Sequence, residues 1–366
     1  MLGQKSGISN DSILFVEQTL NKVSKKINFA IAPGPEYGIS QKLGFAVIPM
    51  IIYNLNRTDT ISSPSSSALL FYFDFYGSWS VAFKQSIYWN QNKWRAFVNV
   101  GVDDMRMKFF GVGRDTTIIS NKDSNYNWVT HKGVNVSLTC FRKIYKGLYG
   151  GLDYSYEMAD FEGTDSLSTE KILQSGQISG NLAESVLSPV FIWDNRDNIY
   201  WTTKGYYASL SFQFANKIIF GSKNYSIISG FVNGYHRLLK NSKKIILAWH
   251  FYSQTGWGDF TYLHYANYGH GDEVTGYTGG KYVNNCEATL QTELRYELWK
   301  FISCGGYLGT GKVFSSYRVF GQSAWLHFGG VRLYFNIIPS RNIRLRLDAA
   351  ISRKDYGFYV GIGQGF

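Results

Sequence analysis

Asn342-Ile343-Arg344-Leu345-Arg346-Leu347-Asp348-Ala349-Ala350-Ile351-Ser352 separates two kinds of side chain completely. Odd positions carry Ile343, Leu345, Leu347, Ala349 and Ile351, and even positions carry Arg344, Arg346, Asp348, Ala350 and Ser352. Period two is the signature of a strand with unlike faces, because successive side chains point to opposite sides. The pattern recurs outward from here. In 286–299, Cys286, Ala288, Leu290, Thr292, Leu294, Tyr296 and Leu298 alternate with Glu287, Thr289, Gln291, Glu293, Arg295, Glu297 and Trp299. In 357–366, Phe358, Val360, Ile362, Gln364 and Phe366 share one face, and Tyr359, Gly361, Gly363 and Gly365 the other. Ala96, Val98, Val100 and Val102 behave likewise, as do Ala208, Leu210, Phe212 and Phe214.

Two architectures give this alternation. A soluble sandwich turns the apolar face inward; a membrane barrel turns it to lipid and lines its lumen with polar groups. Strand length favours the barrel, since many segments exceed ten residues. Aromatics also crowd strand ends like interfacial girdles: Phe71, Tyr72, Phe73, Phe75, Tyr76 and Trp79 at one junction, Tyr200 and Trp201 at another. Composition agrees. Charged residues are 17% of the 366, as are aromatics, and no apolar run is long enough for a spanning helix.

Sixteen such segments run from 27–36 to 357–366, an even number as bacterial single-chain barrels require. The expected fold is all-β: residues 27–366 form a sixteen-stranded antiparallel transmembrane β-barrel. Residues 1–26 form a separate N-terminal segment, read as a short amphipathic helix from Ile13, Val16, Leu20 and Val23. Residues 1–10 have no apolar signal-peptide core, so any export signal has been removed or lies upstream. Polar stretches 114–128, 162–184 and 259–283 are expected as outer loops, and the turn at 354–356 as facing the cell interior. The apolar phase shifts from Leu326 and Phe328 to Val331, Leu333 and Phe335, which predicts a β-bulge at Gly329-Gly330.

Several segments resemble the barrel of the BamA/TamA-type surface-antigen superfamily of outer-membrane assembly and translocation proteins, in its barrel-only, POTRA-less form. They are Trp193-Asp194-Asn195-Arg196-Asp197-Asn198 before Gly205-Tyr206-Tyr207, Gly329-Gly330-Val331-Arg332-Leu333-Tyr334-Phe335, Arg346-Leu347-Asp348, Pro33-Gly34-Pro35-Glu36-Tyr37-Gly38 and Phe109-Phe110-Gly111-Val112-Gly113. The resemblance implies an outer loop that folds back into the lumen with a Val-Arg-Gly-aromatic tip. The matching residues are Val274, Thr275, Gly276 and Tyr277, with Thr275 where the arginine is expected. Glu287, Glu293, Glu297 and Asp348 fall on lumen faces together with Arg295, Arg332, Arg344 and Arg346, a charge network filling the interior.

The implied function is protein assembly or translocation in the bacterial outer membrane by lateral opening between the first and last strands. Pro33 and Pro35 cannot donate ladder hydrogen bonds, and Gly361, Gly363, Gly365 and Phe366 give the last strand little packing at that seam. The alternative is a passive pore or a structural subunit of an envelope complex. Expected partners are outer-membrane lipids and lipopolysaccharide, client outer-membrane proteins and separate periplasmic proteins. The net charge of +11 is spread over strands and turns without a recognition motif, so no nucleic acid is expected. No nucleophile elbow, phosphate loop or metal-ligand spacing is present, and Cys140, Cys286 and Cys304 are scattered. Asp153, Glu157 and Asp160 read as solvated charges. The chain is therefore expected to be no enzyme and to hold no cofactor or metal.

Overall fold

A computed structural model describes residues 28–38, 41–56, 58–59, 61–62, 65–113, 126–163, 181–198, 201–239, 244–269, 274–338, 342–353 and 355–366. The helix expected within residues 1–26 lies outside them. The strands are β1 (Asn28–Gly38), β2 (Gln41–Tyr53), β3 (Ser65–Asp74), β4 (Trp79–Trp89), β5 (Trp94–Phe109), β6 (Asn127–Tyr145), β7 (Leu148–Gly163), β8 (Asn181–Asp194) and β9 (Gly205–Ala215). They continue with β10 (Tyr225–Arg237), β11 (Ile245–Gly258), β12 (Ala266–Tyr268), β13 (Tyr282–Asn284), β14 (Cys286–Trp299), β15 (Ile302–Phe314), β16 (Leu326–Ile338), β17 (Ile343–Ser352) and β18 (Tyr356–Ile362).

One 16-stranded antiparallel sheet takes β1 to β11 and then β14 to β18 in chain order. β12 and β13 pair only with each other, inside the connection between β11 and β14. The end strands β1 and β18 lie side by side.

The faces of the sheet are inverted relative to a water-soluble fold. Leu290, Leu294, Leu308, Val331, Leu333, Leu347 and Phe358 stand exposed on its outside, while Glu293, Arg295, Arg332, Arg344, Arg346 and Asp348 are buried within. Apolar side chains outside and charges inside suit a wall that meets lipid. The interior is not uniformly polar. Ala46, Ile48, Met50, Ala68, Leu70, Tyr72, Ala82 and Met105 form an apolar patch inside β2–β5.

Three local expectations are corrected. The ladder runs unbroken through Gly329 and Gly330 on both sides, and the irregularity in β16 falls between Asn336 and Ile338 instead. Leu326 and Phe328 face inward and pack on Tyr268, Val274 and Tyr277 of the β11–β14 connection, so the apolar phase changes face without an inserted residue. Next, strand parity puts the 353–355 turn at the same end as the long connections 110–126, 164–180 and 259–285, not opposite them. The Lys281 ammonium of the β11–β14 connection reaches Asp355 of that turn at 3.2 Å. Finally, Trp201 belongs to no outer girdle. It is buried, with its ring 4.9 Å from that of Tyr334 inside the sheet. Tyr200 lies outside the described residues.

Candidate functional site

The charged wall is built across β14, β15 and β16. Register sets Gly305 of β15 between Arg295 and Arg332. A Cβ at Gly305 would sit 2.6 Å from Glu293 Oε1, so the missing side chain is what lets β14 and β16 side chains meet over β15. Glu293 Oε2 lies 3.0 Å from both Arg295 Nη2 and Arg332 Nη1, and Oε1 accepts the Tyr334 hydroxyl. Arg332 Nε continues to Asp348 at 3.4 Å, and Arg346 Nε meets the same carboxylate at 3.0 Å. Arg344 lies 3.4 Å from Glu297 and donates to Ser303 Oγ. Of the eight residues expected in the network, Glu287 stands apart. It is buried farther up β14 and accepts from Thr289 at 2.9 Å. Buried charges need opposite charges close by, and this chain of alternating sign supplies them.

The β11–β14 connection enters the interior. Val274, Thr275 and Tyr277 are buried there. Gly276 has φ +85°, and its position leaves a Cβ only 3.2 Å from the Ile351 backbone of β17, so glycine is required on both counts. Its N–H donates to Tyr359 Oη at 2.9 Å. Tyr277 donates to the His327 carbonyl at 2.9 Å and packs on the rings of Tyr268 and Tyr282. Thr275 Oγ1 lies 2.7 Å from Tyr307 Oη, and the Arg332 guanidinium stacks 3.9 Å over that same Tyr307 ring. Where the resemblance puts a loop arginine, the guanidinium on Glu293 and Asp348 comes from the wall.

A second inward layer lies at the end bearing the short turns. The β8–β9 turn carries Asp194-Asn195-Arg196-Asp197-Asn198. Arg196 holds Asp194 through two parallel bonds of 2.9 and 2.8 Å. Asp197 accepts from the Thr203 N–H and hydroxyl, the Lys204 N–H and Arg237. Burial alone would raise the Asp197 pKa, but these donors hold it below the usual carboxylate range. So fixed, the turn sends Trp201 inward, where Arg344 lies 3.8 Å over its ring.

Residues 363–366 join this layer. The chain leaves the ladder after Ile362, so Gln364 and Phe366 are not outward with Phe358 as the alternation implied. Gln364 Oε1 accepts from Thr202 N–H and Arg295, each at 3.1 Å, and its main-chain carbonyl accepts from Arg346 at 2.8 Å. The Phe366 carbonyl accepts from Tyr235, and its ring lies 5.5 Å from His250. Gly365 packs directly on Arg332. Tyr334 shares the inward phase of Arg332, so its role was readable; Trp201, Tyr235 and Gln364 are joined only by the three-dimensional fold.

On the facing wall Asp153 is buried and accepts from Thr139 at 2.7 Å, and Glu157 lies 3.4 Å from His131, so neither is a freely solvated charge. His264 of the connection contacts Glu184 of β8. Among the described residues, no group of three His, Cys, Asp or Glu side chains is arranged to hold a metal ion.

Known proteins resemble the chain in sequence pattern and in shape. The family model described as the Omp85 superfamily domain matches residues 65–349. No curated protein matches the sequence. Among solved structures, BamA from Haemophilus ducreyi lacking POTRA domains 1-3 superposes with a TM-score of 0.64 at 12% identity, covering 97% of this chain and 78% of that one. CdiB from Acinetobacter baumannii gives 0.59 at 11% identity, covering 93% and 60%. CdiB from Escherichia coli gives 0.59 at 9% identity, covering 96% and 70%.

Proposed function

The chain belongs to the Omp85 superfamily of outer-membrane β-barrels, and from that premise we propose that it assembles or translocates proteins through a seam between β1 and β18. The observation that carries this reading is at the two ends of the sheet. β1 and β18 are neighbours, yet among the described residues no hydrogen-bonded register joins them, whereas every other adjacent pair is in register. β18 is only seven residues long, and the chain beyond it turns inward. Pro33 and Pro35 remove two donors from β1, and Gly361 offers no side chain to brace β18. An unzipped pair presents free backbone groups to which an extended client segment can add as a strand. Unfolded outer-membrane proteins are the proposed clients, with separate periplasmic proteins delivering them and lipids and lipopolysaccharide around the barrel.

In this reading the loop tip Val274–Tyr277 and the Glu293 network brace the wall beside the seam, and the chain is not an enzyme. The test is cross-linking across the seam. With Cys140, Cys286 and Cys304 replaced by serine, cysteine pairs tiled along β1 and β18 should oxidise readily, and the locked barrel should deplete other proteins from the outer membrane of the source bacterium. Undiminished assembly with a fully locked seam would leave a structural subunit of an envelope complex. The filled interior favours that second reading over a pore.

A further inference from the structure

On the outer face, at the end bearing the short turns, Trp89, Trp94 and Arg142 stand opposite one another across β4, β5 and β6. The two indoles stack nearly parallel 6.0 Å apart, and the Arg142 guanidinium lies 5.4 Å from the Trp94 ring. Just beyond this row the β4–β5 and β6–β7 turns meet, the Lys143 N–H donating to the Lys93 carbonyl at 2.7 Å. Lys93, Arg142, Lys143 and Lys146 are all exposed, and among the described residues none makes an ion pair. Asp194, the nearby carboxylate, is taken by Arg196. Ile144 and Tyr145, between the cations, are 59% and 67% exposed. In the other direction the same face continues as exposed Cys140, Leu138 and Leu152.

We propose that this face binds the headgroup of an anionic phospholipid. Lys143, in register with buried Tyr149, follows the inward phase. Three cations at these strand ends, Arg142 on the outer face and Lys93 and Lys146 in the adjoining turns, make no ion pair among the described residues. Two indoles lie beside them, at the level where amphipathic rings settle between headgroup and acyl chain. An apolar ladder leads from them toward the middle of the wall. A phosphodiester answers the cations, Arg142 offering two parallel donors and the lysines point charges, and its acyl chains follow Leu138 and Leu152. Arg142 stands on the lipid-facing wall beside the two indoles, with the turn lysines just beyond it, so what meets this rim sideways is lipid and not an acidic protein. This inference is independent of the assembly reading.

The test is native mass spectrometry of the full chain released from mixed micelles holding equal phosphatidylglycerol and phosphatidylcholine. The wild type should retain phosphatidylglycerol preferentially. The triple variant K93Q/R142Q/K146Q should lose that preference by about tenfold or more, since each cation near an anionic surface contributes comparably. The control K204Q/K217Q/K300Q removes equal charge elsewhere and should keep the preference. Heat-modifiable gel migration checks that both variants are folded. Equal loss in both variants, no loss in the patch variant, selective capture of an acidic peptide, or retention of lipid A over phosphatidylglycerol overturns the proposal.

Discussion

Glu293 is the residue on which most of the wall converges, bonded to two guanidiniums and a phenol with no exposure of its side chain. Glu293→Gln leaves Arg295 and Arg332 without that charge. Breaking a buried pair from one side costs about 3–5 kcal/mol, because the remaining charge stays desolvated. Among the described residues Glu297 has one ion-pair partner, at 3.4 Å, and its side chain is 31% exposed, so Glu297→Gln should cost much less. Thermal unfolding followed by gel migration should rank Glu293→Gln well below Glu297→Gln; equal midpoints would contradict the network as drawn. At the loop tip, Tyr277 is wedged between two tyrosine rings and bonded to the wall, while Thr275 makes one hydroxyl contact with Tyr307. Tyr277→Ala should therefore raise protease cleavage of the connection in intact cells more than Thr275→Ala does. The reverse order would mean that the tip is held through Tyr307.

At the scale of elements, the β8–β9 turn is pinned by one carboxylate. The folded-state pKa of Asp197 is depressed, so the stability it contributes is present above the pKa of the unfolded chain and is lost as pH falls through the folded value. Asp197→Asn should lower the unfolding midpoint at neutral pH, and the difference from wild type should shrink on acidification below the ordinary carboxylate range. A gap that widens toward acid would show that another group governs the turn. Strand faces were largely legible in the sequence, because alternation depends only on neighbours in the chain. Arg332, Tyr334, Arg346 and Asp348 could be placed inward from period two alone. What alternation could not reveal was the environment each face meets. Leu326 and Phe328 are apolar because a folded-in connection meets them, and the same letters facing lipid would look identical. Nor does local sequence show that residues 363–366 leave the ladder, since Gln364 and Phe366 continue the phase of Phe358 and find their partners on β10, β14 and the β8–β9 turn.

For the whole molecule, two separate layers fill the interior, the β11–β14 connection at one end and the β8–β9 turn with residues 363–366 at the other. Planar-bilayer conductance of the wild type should be small and should stay small when residues 274–281 are replaced by a short Gly-Ser linker. Removing residues 363–366 as well should open it; a large current from the loop replacement alone would show that the lower layer does not seal. The position of the wall guanidinium has a further consequence. Arg332 satisfies Glu293 and Asp348 from within the sheet, so among the described residues the connection shares no ion pair with that network. The tip and the wall meet instead through a neutral pair, Thr275 on the Tyr307 hydroxyl with Arg332 over the same ring. An arginine introduced at Thr275 would find the carboxylates Glu293 and Asp348 already engaged by the wall, like a plug offered to a filled socket.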